Sequence, residues 1–473
     1  MAKQKKLPAF VPHCRPRHGS PATARRVAVP GWPCQGGTGK PVVTLIGAGS
    51  RIFSFLMCTD ICQTPVLKGV ELRLVDVDGL KLEQMKDLFE LTSGFTKMDL
   101  RVSTFTDRNA ALPGTDFVII SVARDRINRW DTDLAISRKY GIVETQGECG
   151  GPGGLSLTLR NVPLMLEIAR DIERLAPKAV VLNFSNPMTR VCTALTRYTK
   201  LKTVGLCHGI NEARHTFRQL TGRPVSVRGC GINHFNWLFA ATFTDTGEDA
   251  WPVIAEKFRA SSLQNWKYIR ELFEVFDRIV TPGDSHMADF MWHWRGPQDG
   301  LNPRYTLKPK EMASYHRKAA EWEDRIADYL GGQAGKPKNP MARVKGLSGE
   351  GAIPIVCAMS GITPPYHEIA ANLPNKGYIT NLPEGAIVEL PAFVSKGKIE
   401  GEKMGDLPTG IRSLLARQLD IAELAVEAAV EGNYQKALQA LAIDPILPDL
   451  QIARSYLNDI LEAHKDLLPQ FTS

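Results

Sequence analysis

The chain has 473 residues, 43% of them hydrophobic, which is enough to build two or more packed domains of ordinary globular composition. Its formal charge of +8 is confined to the start: Lys3, Lys5, Lys6, Arg15, Arg17, Arg25, Arg26 and Lys40 meet no acidic residue in the first forty positions, so the rest is neutral. That distribution excludes a basic, nucleic-acid-binding body, and no apolar run approaches the length of a membrane span.

Residues 1–40 are rich in proline and glycine and lack apolar periodicity, which reads as a disordered tail or an upstream extension. The segment has no apolar core of a signal peptide, although its arginine-rich, acid-free character leaves a transit peptide open. Nine cysteines, an odd number without CxxC spacing, argue against a disulfide framework and for a reducing compartment. The expected location is the cytoplasm.

From Pro41 the pattern changes. VVTLIGAGS predicts a buried strand running into a glycine turn, and IFSFLMCTDIC predicts a helix after it. This order cradles a pyrophosphate: Gly47 permits the tight turn, Gly49 lets phosphate approach the backbone, and Ser50 and Arg51 stand where the helix offers free N–H groups and partial positive charge. Ile52 replaces the third glycine of the usual fingerprint. GVELRLVDVD predicts a second strand ending at Asp76, spaced to grip the ribose hydroxyls of NAD rather than its 2′-phosphorylated relative. The alternative for Asp76 or Asp78 is a turn or the cap of the helix GLKLEQMKDLFELT.

Further strands are predicted at DFVIISV (116–122), AVVLNFS (179–185) and KTVGLC (202–207), separated by the helices LTLRNVPLMLEIARDIERL and MTRVCTALTRYT. Alternating strands and helices imply a doubly wound, mostly parallel α/β sheet, which binds ligands beyond the carboxyl ends of its strands. Three polar clusters fall there: Arg124 with Arg126, Asn183 to Asn186, and Cys207 with His208.

Taken together, VTLIGAGS, ECGGPGG (148–154), NFSNPM (183–188), GLCHG (205–209), GINHFNW (231–237) and GDSHMADF (283–290) resemble the NAD-dependent glycosidases of glycoside hydrolase family 4. NLPNKGYITNLPEGAIVELPA (372–392) and the helical stretch from 405 to 445 extend the resemblance over roughly residues 41–450. It implies a Rossmann-type NAD domain at 41–207 and an α/β domain like that of lactate and malate dehydrogenases at 208–473, with a helical C-terminus from about Leu407. It also implies a homodimer or homotetramer and a glycoside substrate. The family's chemistry oxidises the sugar at C3 with NAD, removes the C2 proton, eliminates the glycosidic oxygen, adds water and reduces C3 again, without net redox. A divalent metal, characteristically manganese, assists as a Lewis acid.

Carried onto this chain, the resemblance makes Cys207 and His234 the metal ligands. A lone cysteine at a strand end would otherwise read as a small buried hydrophobe. His208 is a candidate proton donor to the leaving group, or else a group bonded to a sugar hydroxyl. Asp284, with His286 beside it, matches the C2 base of some branches, although an aspartate after glycine is also an ordinary turn residue. Asn186 is expected to touch the substrate, and GGPGG (150–154) to be a loop lying close to cofactor or sugar, or a flexible connection.

Where many relatives carry an IRVGG-like stretch, this chain has SVARDRINRW. Arg124, Arg126 and Arg129 there either grip an anionic substituent, such as that of a uronide or a sulfonated glucoside, or pair with Asp125, Asp131 and Asp133. The CHG motif points away from 6-phospho sugars. The rival enzyme reading is an NAD-dependent hydroxyacid or sugar dehydrogenase with net redox; a third reading is a protein that only binds NAD.

Overall fold

The computed structural model describes residues 39–294, 304–305, 307–331, 335–447 and 449–471; the basic segment 1–38, with Cys14 and Cys34, lies outside them. The first six strands are β1 (Val42–Ile46), β2 (Glu71–Val75), β3 (Arg101–Phe105), β4 (Phe117–Ile120), β5 (Val180–Asn183) and β6 (Lys202–Gly205). They run parallel in the order β3-β2-β1-β4-β5-β6, the Rossmann order, which reverses between β1 and β4 and opens a crevice beyond their carboxyl ends. Every residue of β1, β4 and β5 is buried, which is why these three show in the sequence as unbroken apolar runs. The edge strand β3 has no fully buried residue and leaves no such trace.

At the turn after β1, Gly47 has φ of 93°, and a Cβ there would stand 2.1 Å from the Ser121 carbonyl oxygen. Both the left-handed backbone and the space demand glycine.

The sheet continues through β7 (Val225–Ile232), β8 (Phe235–Phe243), β9 (Ile279–Thr281), β10 (Tyr366–Pro374), β11 (Ile387–Ser395) and β12 (Lys398–Gly401), all antiparallel to their neighbours. Two narrow joins connect the halves: β10 meets β6 at Asn372 and Gly205, and β11 meets β7 at Glu389 and Gly231. Gly205 is needed at its join, because a Cβ would lie 2.6 Å from Met188 Sδ. The C-terminal helices Thr409–Glu431 and Tyr434–Ala442 pack on the helix Gly151–Leu175, the first of them bringing Ile421 and Ala425 into one cluster with Leu155, Leu159 and Val162, and Leu450–Ala463 packs on Tyr434–Ala442 and Arg126–Lys139.

One expectation is corrected. GGPGG is not a loop: Gly151 to Gly154 form the first turn of the helix Gly151–Leu175, with Pro152 at a position where its missing N–H costs nothing. These glycines serve close packing, since a Cβ on Gly153 would lie 2.6 Å from the Gly147 carbonyl oxygen. Past the end of β4 at Ile120 the chain enters the helix Arg126–Lys139, which leaves Arg124 and Arg126 at the strand's carboxyl end as expected. Among the described residues no helix is long and apolar enough to cross a membrane.

Candidate active site

A cleft of about 690 Å³ opens at the carboxyl ends of β1 and β4, within the range of small-molecule sites. Gly47, Gly49, Ser50 and Asp76 line one part of it, and Arg124, Arg126, Glu148 and Asn186 another. Asp76 also has a structural task, for its Oδ2 accepts the Gly49 N–H at 2.7 Å and its Oδ1 the Asp78 N–H at 3.0 Å. A carboxylate has acceptor capacity beyond these two bonds, so the same group can fix the glycine turn and receive ribose hydroxyls. Arg51 donates to Gln84 at 2.6 Å while its buried Nε and Nη1 have no partner. Arg51 is not among the residues that line the cleft, and these two nitrogens are buried, so of the predicted cofactor residues Gly47, Gly49, Ser50 and Asp76 border it and Arg51 does not.

Beyond the end of β6, Cys207 Sγ lies 3.2 Å from His234 Nε2. His234 occupies the turn between β7 and β8 with φ of 128°, a conformation that L-residues rarely adopt and that persists when the surroundings impose it. Burial and Glu389 push the Cys207 thiol up to about 11. Burial disfavours a charged His234, yet Cys149, Glu389 and Glu148 raise its imidazole to about 9. A protonated thiol facing a protonated imidazole is what a cation would displace, since metal binding selects thiolate and neutral imidazole. Among the described residues no cluster of three or more such groups could hold a metal. Cys207 and His234 themselves present one sulfur and one imidazole nitrogen to the same point, donor types that divalent transition metals accept.

His208 sits beside Cys207 with its side chain largely open to solvent, and its Nδ1 lies 3.0 Å from Glu350 Oε1. The Glu350 hydrogen bond raises the imidazole to about 9, so it carries both protons at neutral pH and can offer the one on Nε2. The His286 ring meets His234 edge-on at 4.8 Å between centroids and is kept neutral by burial and by His234, Lys310 and His208. Asp284 is buried and caps the helix Lys267–Phe276: its oxygens accept the N–H groups of Tyr268 at 2.9 Å and Ile269 at 3.0 Å. Burial nonetheless raises its carboxyl to about 6, in the range that suits a general base.

The arginine cluster is paired with carboxylates, mostly not those expected. Arg126 meets Glu148 at 2.5 Å, Arg124 approaches Glu167 at 3.7 Å, and Arg129 grips both oxygens of Asp466 near the C-terminus. Only Arg129 approaches an expected partner, Asp125, at 3.7 Å. Asp133 is instead taken by Arg160 and His464, and Asp131 by Arg138.

The model of the family 4 glycosyl hydrolases matches residues 42–222, and that of their C-terminal domain residues 229–447. The chain is 31% identical to an alpha-glucosidase of Erwinia rhapontici, with 87% of this chain and 97% of that protein aligned. It belongs to glycosyl hydrolase family 4. Within family 4, an alpha-galacturonidase of Lachnoclostridium phytofermentans is 28% identical over 90% of this chain and 97% of its own. The fold is that of a 6-phospho-alpha-glucosidase from gut microorganisms, crystallised in complex with NAD and Mn2+. That structure matches with a TM-score of 0.76 at 22% identity, covering 91% of this chain and 99% of its own.

Several residues of this family 4 site escaped the sequence reading. Glu389, at the join of β11 and β7, accepts hydrogen bonds from Asn233 at 2.9 Å, Asn236 at 3.0 Å and Asn372 at 3.1 Å. It thereby ties β10 and the β7–β8 hairpin together beneath His234. Glu350 and Glu212 face the histidines from segments with no motif of their own, and the Glu212 carboxyl is raised by burial against the pull of His208 and His234. Cys149 and Glu148 come from the ECGG stretch and act electrostatically on His234.

That stretch is held by two buried acids. Glu144 accepts the Gly153 N–H at 2.8 Å, and Asp289 accepts those of Gln146 at 3.1 Å and Gly147 at 2.9 Å. Burial pushes Glu144 up to about 8 and Asp289 to about 7. Both folded values exceed the ordinary carboxylate values, so between those limits the folded chain holds protons that the unfolded chain has released. The stabilisation is complete only below the ordinary carboxylate values, falls steadily as pH rises from there, and is gone above 7 to 8. Urea unfolding is expected to show stability falling from pH 5.5 to pH 9, with a shallower fall for Glu144→Gln; equal slopes would refute the assignment.

Proposed function

We propose that this family 4 enzyme hydrolyses α-glycosides through transient NAD-dependent oxidation of the sugar. The observation that carries the reading is the Cys207–His234 pair, 3.2 Å apart at the carboxyl end of β6. Glu148 links that pair to the nucleotide cleft, since it lines the cleft and acts on His234. When bound, NAD would supply reversible hydride acceptance, and a divalent cation, manganese by resemblance, would supply Lewis-acid polarisation of the sugar's oxygens.

The chain's own residues supply the rest. Gly47, Gly49 and Ser50 border the cleft and would admit the pyrophosphate, and Asp76 would receive ribose hydroxyls. Cys207 and His234 hold the cation, with His286 fixing the His234 ring from its edge. His208, oriented and kept protonated by Glu350, donates its Nε2 proton to the glycosidic oxygen as the bond breaks. Asp284 is the assigned acceptor of the C2 proton, supported by its carboxyl near 6 and its place on the short helix that also bears His286. Asn186, beside Glu148 in the cleft lining, contributes an amide to the sugar.

The test is turnover of a chromogenic α-glycoside with NAD and manganese in deuterated water. Release of the phenol without accumulation of NADH, and with deuterium at C2 of the sugar product, is the expected result. Steady NADH production without phenol would instead favour the dehydrogenase reading.

A further inference from the structure

One buried acid on the first helix takes no part in the steps above. Asp60, in the last turn of the helix Arg51–Cys62, is 1% exposed. Among the described residues its carboxylate accepts from Ser348 alone, from the backbone N–H at 2.7 Å and from the hydroxyl at 2.5 Å. Burial raises the Asp60 carboxyl, and the two Ser348 donors oppose that rise. A carboxylate taken out of water is costly, and two donors from one residue fix that residue closely.

The loop so held, residues 344–351, has no helix or strand of its own. Gln63, which caps the same helix, donates to the Gly346 carbonyl oxygen at 3.0 Å, and Asn211, in the helix Ile210–Thr221, to that of Gly349 at 3.3 Å. The Ser348 hydroxyl also accepts the Glu350 N–H at 3.2 Å, so Asp60 and Glu350 share one serine. Glu350 then reaches the reaction centre, where its Oε1 lies 3.0 Å from His208 Nδ1. The His208 side chain is 64% exposed, and among the described residues Glu350 is its one hydrogen-bond partner. An imidazole so open to solvent turns between rotamers unless a partner fixes it, and a proton donor acts only within hydrogen-bond reach of its acceptor. The angle of His208 is therefore set by Glu350, and the place of Glu350 by Ser348 and Asp60.

We propose that Asp60 is a positioning residue for departure of the aglycone: through Ser348 it fixes the loop from which Glu350 aims His208 Nε2 at the glycosidic oxygen. This rests on the glycosidase reading above, in which His208 is the proton donor. As the glycosidic C–O bond breaks, its electron pair stays with the departing oxygen and the Nε2 proton joins it. A neutral imidazole remains, with its other proton on Nδ1 beside Glu350. The helix that carries Asp60 begins at the glycine turn, where Ser50 borders the nucleotide cleft. One rigid element thus supports the cofactor site at its N-terminus and the proton donor at its C-terminal end.

The test compares kcat of the full-length enzyme, with NAD and manganese, on methyl and 4-nitrophenyl α-glucosides and on the matching α-galacturonides. 4-Nitrophenoxide departs without a proton, whereas methoxide requires one, so a misplaced proton donor shows in the methyl glycoside. Asp60→Ala is expected to lower kcat about tenfold to a hundredfold on the methyl glycoside and less than about threefold on the nitrophenyl one. Asp60→Asn keeps an acceptor for the Ser348 N–H and is expected to recover part of the loss. Ser348→Ala removes only the hydroxyl and is expected to give a milder loss of the same kind, which carries the test should Asp60→Ala fail to fold. When Asp60→Ala is combined with Glu350→Gln, the losses are expected to coincide, because both act through His208. Equal losses on the two leaving groups, losses that multiply in the double variant, or no loss at all overturn the positioning role while leaving the glycosidase reading intact. If the wild type cleaves no methyl glycoside, hydrogen exchange decides: amides of residues 344–351 that exchange at least about tenfold faster in Asp60→Ala support the tie, and unchanged exchange refutes it.

Discussion

Cys207→Ser is expected to remove nearly all glycoside hydrolysis while leaving the fold intact. The thiol lies 3.2 Å from His234 Nε2, and nothing in the sheet depends on it: β6 ends at Gly205, and its ladder contacts to β5 and β10 are backbone bonds. Serine preserves shape but offers a hydroxyl that does not ionise near neutral pH, in place of a thiol that a cation can deprotonate. Changes in groups that only orient metal ligands cost about 10–100-fold, so loss of a ligand should exceed about a hundredfold in kcat. A wild-type circular dichroism spectrum and unchanged NAD affinity, alongside a manganese requirement raised beyond practical concentrations, is the expected profile. Retention of more than a tenth of wild-type turnover would show that the pair is structural.

Glu389→Ala is expected to damage both stability and the metal centre. The carboxylate is buried and accepts from three asparagine amides; truncation would strand Asn233 Nδ2 and leave Asn236 and Asn372 only their longer bonds to the Glu389 and Gly205 carbonyl oxygens at 3.3 and 3.4 Å. Each stranded donor costs about 1–3 kcal/mol, and loss of one member of a buried charged network typically costs about 3–5 kcal/mol in all. Because Asn233 adjoins His234 on the same hairpin, manganese affinity should fall by about 10–100-fold in whatever fraction remains folded. Glu389→Gln keeps one acceptor and a similar volume, so it should fall between wild type and alanine. Urea unfolding and manganese titration of the three proteins check the order; identical unfolding midpoints would sink the idea.

The nucleotide-binding half was legible because its signals are local. VVTLI, FVII and VVLN are buried on both faces and therefore apolar at every position, and Gly47 is required by contacts with the next strand over. The family motifs pointed to Cys207, His208 and His234, and the structure places these three around one strand end. Misreadings arose where a local pattern has two physical meanings. Glycines at 150–154 suit a loose loop as well as a tightly packed helix start, and only the approach of Gly147 and Asp289 distinguishes them. Likewise, Arg129 had acids beside it in sequence, yet it reaches Asp466 in the last segment of the chain.

By itself the sequence determined the parallel sheet, the glycine turn, the family and the pair of metal-ligand candidates, because each depends on residues close together in the chain or on motifs read in order. Only the tertiary structure decided the counter-charges. Glu350 reaches His208, Glu389 reaches Asn233, and Asp133 rather than any other acid compensates Arg160, all through contacts between segments far apart in sequence. Charge compensation in a low-dielectric interior depends on distance in space, which leaves no periodic trace in the chain.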